Sequence, residues 1–263
     1  MSWLRFAWRS PRLLLHVILG AMLTALLTRR DRATGRYRHN PYVVSWWHDR
    51  ALRILHVEVD VTGARPQGPA LLVANHISWL DIPVIGSLTH SCFLSKAEVR
   101  RWPLVGWLAA ASGTLFMRRG GYETAAITAT IKDQLAANGM LTLFPEGTTT
   151  DGSDVRPFFS RLFAAAIEAE TPVIPVTLYY HLDGHRDPVA PYTGNQRLVD
   201  NLLNLLKRPA TRVKVTFAEP LDMRGMTRKA AAERARAVIR RALGAFDHAA
   251  AGADSSAATE HLG

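Results

Sequence analysis

In the stretch ANHISWLDIPV, residues 74 to 84, a histidine and an aspartate stand five positions apart, directly after the apolar run Leu71, Leu72, Val73. A carboxylate on one ring nitrogen of an imidazole fixes its tautomer and stabilises the protonated ring, leaving the other nitrogen to take a proton from a hydroxyl. His76 and Asp81 are therefore the parts of a general base that works without a serine nucleophile. Residues five apart on one regular helix point about 140° away from each other, so the pair can meet only if His76 sits in a turn ahead of the helix. The competing reading is structural. Ser78 and Asp81 also spell an S-x-x-D box, in which Ser78 caps a helix and Asp81 reaches back to its first amides.

The surrounding elements must supply that turn. ALLVANH is a short buried-strand candidate bounded by RPQGP, and HVEVDVTG before it alternates with period two until Gly63. FLSK and GTLFMRR are short and apolar enough for strands. From Tyr122 to Asn138, Ile127, Ile131 and Leu135 recur every four residues, marking one helical face that ends at Gly139. The strand MLTLFPEG, a helix from about Ser160 to Glu170, the strand VIPVTLYY, a helix around Asp200 to Lys207, the strand RVKVTFAEP and a basic amphipathic helix from about Thr227 to Phe246 follow. Strand and helix alternate throughout, which predicts an α/β fold with a mixed sheet flanked by helices. Residues 49–248 form the expected catalytic domain. The tail 249–263 is small and polar, and is expected to be disordered.

The chain carries 32 Lys and Arg against 22 acidic residues, a net charge of +10, which favours an anionic partner. The single cysteine, Cys92, excludes an intrachain disulfide framework and a Cys-based zinc site. The N-terminal segment, residues 1–48, narrows the choice of partner. Leu13 to Thr28 is mostly apolar but spans only about 24 Å as a helix, short of the roughly 30 Å hydrocarbon core. Arg5, Arg9 and Arg12 precede it and Arg29, Arg30, Arg32, Arg36 and Arg38 follow it, so both flanks favour the same anionic-lipid side. An interfacial or re-entrant anchor satisfies both. A true span, a core helix and a cleaved signal peptide are the alternatives, the last lacking a small-x-small site after the apolar core. Tyr42, Trp46 and Trp47 add rings of the kind that settle at headgroup depth.

With NHISWLD, the blocks GTLFMRR, FPEGTTTDG and PVIPV give the chain, over roughly residues 50 to 225, a specific resemblance to the 1-acylglycerol-3-phosphate acyltransferase family of lysophospholipid acyltransferases. The resemblance implies a glycerolipid-acyltransferase fold and transfer of an acyl chain from an acyl carrier protein or coenzyme A thioester to the free hydroxyl of a lysolipid. The expected place of work is the cytoplasmic face of the cell membrane, with no further cofactor; one histidine with no second ligand at i+3 or i+4 lacks the usual metal spacing, so no metal is expected. It also implies roles: His76 as base, Asp81 as its orienter, Arg119 with Lys96 and Asn75 near the acceptor, Glu146, Gly147 and Thr148 lining the acceptor site, and Pro145 and Pro175 shaping the chain beside it.

Each has a bland alternative. Lys96 reads equally as a solvated lysine, Arg118 and Arg119 as a solvated pair, and Glu146 and Gly147 as a turn after a strand that Pro145 stops. Pro175 marks a strand edge or bulge. Cys92 has no neighbouring histidine and reads as a buried thiol. Where many members of the family follow FPEGT with Arg, this chain has Thr149, so one phosphate-binding guanidinium is missing, although Arg156 and Arg161 can supply a cation. FPEGTTTDGSDVRPF most resembles the lyso-ornithine lipid acyltransferase branch, whose acceptor carries no phosphate monoester. Lysophosphatidate as acceptor, giving phosphatidic acid, stands narrowly ahead, because it dominates the broad family. A non-catalytic membrane lipid-binding or scaffold protein is the reading from another class. Neither H-E-x-x-H nor a recognised nucleic-acid module occurs.

Overall fold

The computed structural model describes residues 1–31, 37–117, 125–137 and 139–260, with side-chain surroundings up to residue 249. Helix α1 (Ser2–Leu27) leads through a ribbon of β1 (Arg29–Arg30) and β2 (Tyr37–Arg38) to α2 (Pro41–Leu55), followed by β3 (Val57–Thr62), β4 (Ala70–Ala74), α3 (Asp81–Leu88) and β5 (Cys92–Lys96). Then come α4 (Val105–Ala111), β6 (Leu115–Met117), α5 (Ala125–Ala136), β7 (Met140–Leu143), α6 (Ala164–Glu168), β8 (Val173–Leu182) and β9 (His185–Arg186). The chain closes with α7 (Leu198–Lys207), β10 (Thr211–Phe217) and α8 (Arg228–Glu260).

The main sheet runs β3-β10-β8-β4-β7-β5-β6, with β9 paired to β8. Strands β8, β4, β7, β5 and β6 are mutually parallel, while β10 lies antiparallel to β8 and parallel to β3. The mixed sheet expected from the alternating elements is the one that forms. Every residue of β4 is buried, as a strand covered on both faces must be. Leu72 and Ala74 pack with Val84, Ile85 and Leu205 on one face, and Leu71 and Val73 pack with Ile131, Phe163 and Ala235 on the other. The chain passes from β4 to β5 on one side and later returns past β4 to β8 on the other. The carboxyl end of β4 is thus the kind of switch point where open α/β sheets place their crevice.

Several expectations are corrected. The anticipated boundary at residue 48 falls inside α2, which Asn40 and Pro41 begin, the Asn40 side chain accepting the Tyr42 N–H at 2.9 Å. Ala51, Leu52 and Leu55 of that helix enter the core. Helix α1 is 26 residues long rather than confined to the apolar run, because Arg5, Arg9 and Arg12 are as helix-compatible as the leucines they precede. Trp47 does not face outward. Its ring stacks on His16 at 4.8 Å and its Nε1 donates to the His16 carbonyl at 3.2 Å, joining α1 to α2. Helix α8 continues to Glu260 instead of stopping at Phe246, its later residues being rich in alanine, the strongest helix former. The segment Ser160–Glu168 divides into a 3₁₀ turn and α6. Pro175 lies in the inner strand β8, not at an edge. Its carbonyl accepts the Ala218 N–H, so its missing N–H points to the same side, where β10 has already ended at Phe217.

Candidate active site

The chain leaves β4 at Ala74, turns through residues 75–80 and starts α3 at Asp81. His76 therefore sits ahead of the helix, as the spacing requires, and its Nδ1 lies 2.7 Å from Asp81 Oδ2. The same oxygen accepts the N–H groups of Ile77 at 2.7 Å and Ser78 at 2.9 Å. Half of the capping-box reading holds, since Asp81 does reach back to amides. The other half fails: the buried Ser78 hydroxyl bonds to none of the described residues, and α3 has no side-chain cap. Capping and orientation are one arrangement, because the carboxylate that fixes the turn also holds the imidazole.

The second carboxylate oxygen, Oδ1, accepts the Tyr180 hydroxyl at 2.8 Å. Burial and the neighbouring Asp81 charge push the Tyr180 phenol well above its ordinary range, so it remains a donor. The Ile77 and Ser78 amides and the Tyr180 hydroxyl all donate to this carboxylate; with the carboxylate acting as acceptor toward the ring as well, His76 Nδ1 carries the proton and Nε2 presents a lone pair. Among the described residues nothing bonds to Nε2, and the His76 side chain keeps 18% of its surface exposed. The ring stacks on Phe144 at 4.0 Å and 14°, so it is held on its flat side as well as at its edge.

Glu146 is buried, and its two oxygens bridge separate loops: Oε1 accepts the His76 N–H and Oε2 the Arg156 N–H, each at 2.8 Å. Burial raises the Glu146 carboxyl above its ordinary range, against the lowering effect of those two bonds. In this geometry it holds the backbone of His76 in place. Asn75 is likewise turned inward. Its amide donates to the Leu178 carbonyl at 2.9 Å and accepts the Leu178 N–H at 2.8 Å, which extends the β4–β8 pairing past the end of the strand. Gly147 turns the chain with φ +68°, a conformation that favours glycine, and its N–H bonds to the Phe144 carbonyl at 3.0 Å. Pro145 is buried and its carbonyl accepts the Phe159 N–H at 2.9 Å.

Thr148 lines a groove of about 680 Å³ together with Thr149, Asp151, Asp154, Arg156 and Arg236. Thr150, on the same wall, donates its N–H to the His76 carbonyl at 2.8 Å, so the groove is fastened to the turn that carries His76. The Thr149 hydroxyl donates to the Tyr192 carbonyl, and the Tyr192 N–H donates to the Ile77 carbonyl at 2.9 Å. Lys96 ends β5, partly exposed, at the carboxyl edge of the sheet. Arg118 and Arg119 lie outside the described residues. Cys92 is buried, with the Gln134 amide 3.7 Å from its sulfur. Sequence reasoning missed Tyr180 and the brace from Tyr192. Period two from Val176 and Leu178 puts Tyr180 on their face of β8, a signal that says buried but not what the hydroxyl meets.

A family model described as Acyltransferase matches residues 56–179. A lyso-ornithine lipid O-acyltransferase of Pseudomonas aeruginosa is 43% identical over 249 residues, covering 92% of this chain and 95% of that protein. One from Rhodobacter capsulatus is 34% identical, covering 91% and 90%. A 1-acyl-sn-glycerol-3-phosphate acyltransferase of Neisseria gonorrhoeae is 29% identical, covering 64% and 67%. The crystal structure of a 1-acyl-sn-glycerophosphate acyltransferase from Thermotoga maritima shares the fold, with a TM-score of 0.62 at 22% identity over 91% of this chain and 98% of that one. A catalytic-type His–Asp pair at the carboxyl end of β4, on a chain so similar over nearly its whole length, has one family to which it can be assigned: this chain belongs to the acyltransferases.

Proposed function

We propose that the chain transfers a fatty acyl group from a thioester, carried by acyl carrier protein or coenzyme A, to the free hydroxyl of lyso-ornithine lipid at the cytoplasmic face of the membrane. The observation that carries the chemistry is the His76 Nδ1 to Asp81 Oδ2 bond with Nε2 left open. Nε2 takes the proton of the acceptor hydroxyl as its oxygen attacks the thioester carbonyl. The tetrahedral adduct then expels the thiolate, which recovers the proton from the imidazolium; Asp81 holds the ring in register through both transfers. An ester and a free thiol result, and the reaction needs no resident cofactor because the thioester is already activated.

The near full-length similarity to lyso-ornithine lipid enzymes supports the acceptor, moving it ahead of lysophosphatidate. Thr149 supports it too. A phosphate monoester is best held by forked guanidinium groups, and here the side chain at that position is a hydroxyl spent on the Tyr192 carbonyl. Membrane attachment is supported by α1, whose outward surface includes Trp8, Leu15, Ile18 and Met22. The test is turnover of labelled acyl thioester by the full-length protein in mixed micelles with lyso-ornithine lipid or lysophosphatidate offered in parallel. Esterification of the ornithine lipid at the higher kcat/KM supports the reading. Preference for lysophosphatidate reverses the acceptor, and no turnover of either returns the scaffold reading.

A further inference from the structure

The groove beside the catalytic turn carries charges of both signs, and they are not equivalent. Arg236 donates to the Val155 carbonyl at 2.8 Å through Nε and lies 3.9 Å from Asp154, which also takes Arg240 at 2.7 Å. That pair of charges is consumed within the fold. Arg156 and Asp151 remain. The Arg156 guanidinium forms no hydrogen bond or ion pair with the described residues, only its backbone N–H being engaged. Asp151 gives one oxygen, Oδ1, to the N–H and hydroxyl of Ser153, at 2.9 and 2.7 Å. Those bonds first, and the nearby Arg186 charge after them, hold its carboxyl below the usual range; Arg186 itself is bonded to the Gly152 carbonyl and Asp247, and among the described residues no hydrogen bond engages Asp151 Oδ2.

Both open charges are tied to the base by short covalent and hydrogen-bonded paths. Asp151 follows Thr150, whose N–H is bonded to the His76 carbonyl at 2.8 Å. Arg156 is bonded through its N–H to Glu146 Oε2, the carboxylate whose Oε1 takes the His76 N–H. The loop between them is thus clamped to His76 at both ends, and the two residues that carry these charges, Asp151 and Arg156, line a common groove. Sites for phosphate dianions gather cations and N–H donors and exclude carboxylates. This groove, with Asp151 and Asp154 in its wall, does the opposite.

We infer that the groove is a headgroup site for a zwitterionic amino-acid lipid, in which Arg156 takes the carboxylate and Asp151 takes the side-chain ammonium while the acceptor hydroxyl reaches His76. The inference rests on the acceptor reading above and assigns two specificity residues to it. It also explains how an acceptor without a phosphate monoester is selected positively, and how a phosphate acceptor is disfavoured by repulsion.

The experiment compares Asp151→Asn and Arg156→Gln with the wild-type full-length enzyme on lyso-ornithine lipid, its δ-N-acetyl analogue and lysophosphatidate. Asn keeps the oxygen that accepts from Ser153, and Gln keeps the backbone N–H to Glu146, so the loop should survive both changes. Each variant is expected to raise KM for lyso-ornithine lipid roughly tenfold, with kcat changed by less than about threefold. Acetylating the ammonium should raise the wild-type KM similarly and add little in Asp151→Asn, the non-additivity that marks a direct pair. For lysophosphatidate, Asp151→Asn should leave KM unchanged or lower it. An unchanged KM for lyso-ornithine lipid in both variants, or an equal rise for all acceptors, overturns the site while leaving the acceptor standing. Failure of the wild type to use lyso-ornithine lipid removes the acceptor reading itself, and the headgroup site with it.

Discussion

The Tyr180 hydroxyl donates to Asp81 Oδ1 at 2.8 Å, on the opposite oxygen from the one that holds His76. A strand residue 99 positions further along the chain therefore completes the hydrogen bonding of the carboxylate that holds His76. Tyr180→Phe removes that bond and leaves Oδ1 buried without a donor, which costs about 1 to 3 kcal/mol. If Tyr180 positions the base, kcat should fall about tenfold, because the loosened carboxylate no longer fixes the ring, while KM for the acceptor stays within about twofold. Steady-state kinetics beside a thermal melt separates this from a purely structural role, in which the melt would drop and kcat of the folded protein would hold.

The proposed base, His76, gives a sharper outcome. His76→Ala should lower turnover by roughly the 10² to 10⁴ that a positioned general base contributes, with the fold retained. Asp81→Asn can keep an oxygen facing the Ile77 and Ser78 amides and His76 Nδ1, turning its NH₂ toward Tyr180. The turn then survives and only the negative charge is lost. Turnover should nevertheless fall by about 10² or more, since the imidazolium formed in the reaction loses its counter-charge. A melt shifted downward with unimpaired turnover would reduce Asp81 to a capping residue.

How far the sequence revealed this arrangement depends on the kind of information each part needs. Strand and helix order was legible because it is written in local periodicity: Ile127, Ile131 and Leu135 are buried on one face of α5 as their spacing predicts. The His76–Asp81 contact was legible because five residues and a strand end constrain the geometry. Long-range partners were not. Nothing near Glu146 says that its oxygens will be taken by the amides of His76 and Arg156, and nothing near Asn75 announces the Leu178 backbone. Chain topology decides those contacts, so the bracing that Glu146 and Asn75 give the turn is not written in their neighbourhoods. Pro175 misled for the same reason, since only the end of β10 makes an inner position tolerable for it.

A second histidine gives the stability a predictable pH dependence. His48, in α2, is buried, and a β-carbon added at Gly86 of α3 would come within 2.1 Å of its Nδ1. Burial lowers its pKa from 6.5 to about 4. Between these values the unfolded chain binds a proton that the folded chain refuses. The contribution of His48 is therefore fully present above pH 6.5 and is lost progressively as the pH falls toward 4, by about 3 kcal/mol in all. Chemical denaturation of wild type and His48→Phe at pH 7.5, 5.5 and 4.5 measures it: the wild type should lose more stability on acidification than the variant. Parallel pH profiles would show that His48 titrates normally.

Attachment to the membrane turns on the two faces of α1. Phe6, Arg9, Leu13, His16 and Gly20, spaced alternately three and four residues apart, face the domain. Phe6 and Leu13 pack against the core, Arg9 donates to the carbonyls of Arg208 and Pro209 at 2.6 and 2.9 Å, and His16 and Gly20 meet Trp47. Trp8, Leu15, Ile18, Met22 and Leu26 are exposed. Helix α1, at 26 residues, is long and apolar enough to cross a bilayer, but its contacts with the domain from Phe6 to Gly20 favour the interfacial arrangement, in which the outer face sinks into the headgroup boundary while Arg29 and Arg30 stay with anionic lipid. Leu15→Glu with Met22→Glu should cut binding to anionic vesicles by at least about tenfold, as each apolar side chain forgoes about 1.5 to 3 kcal/mol of burial. The melting temperature should barely change, because neither side chain is part of the core. Alkaline carbonate should release the wild-type protein from native membranes, as it does peripheral helices; retention in the pellet would establish a span, and undiminished vesicle binding by the double variant would place the attachment on another surface.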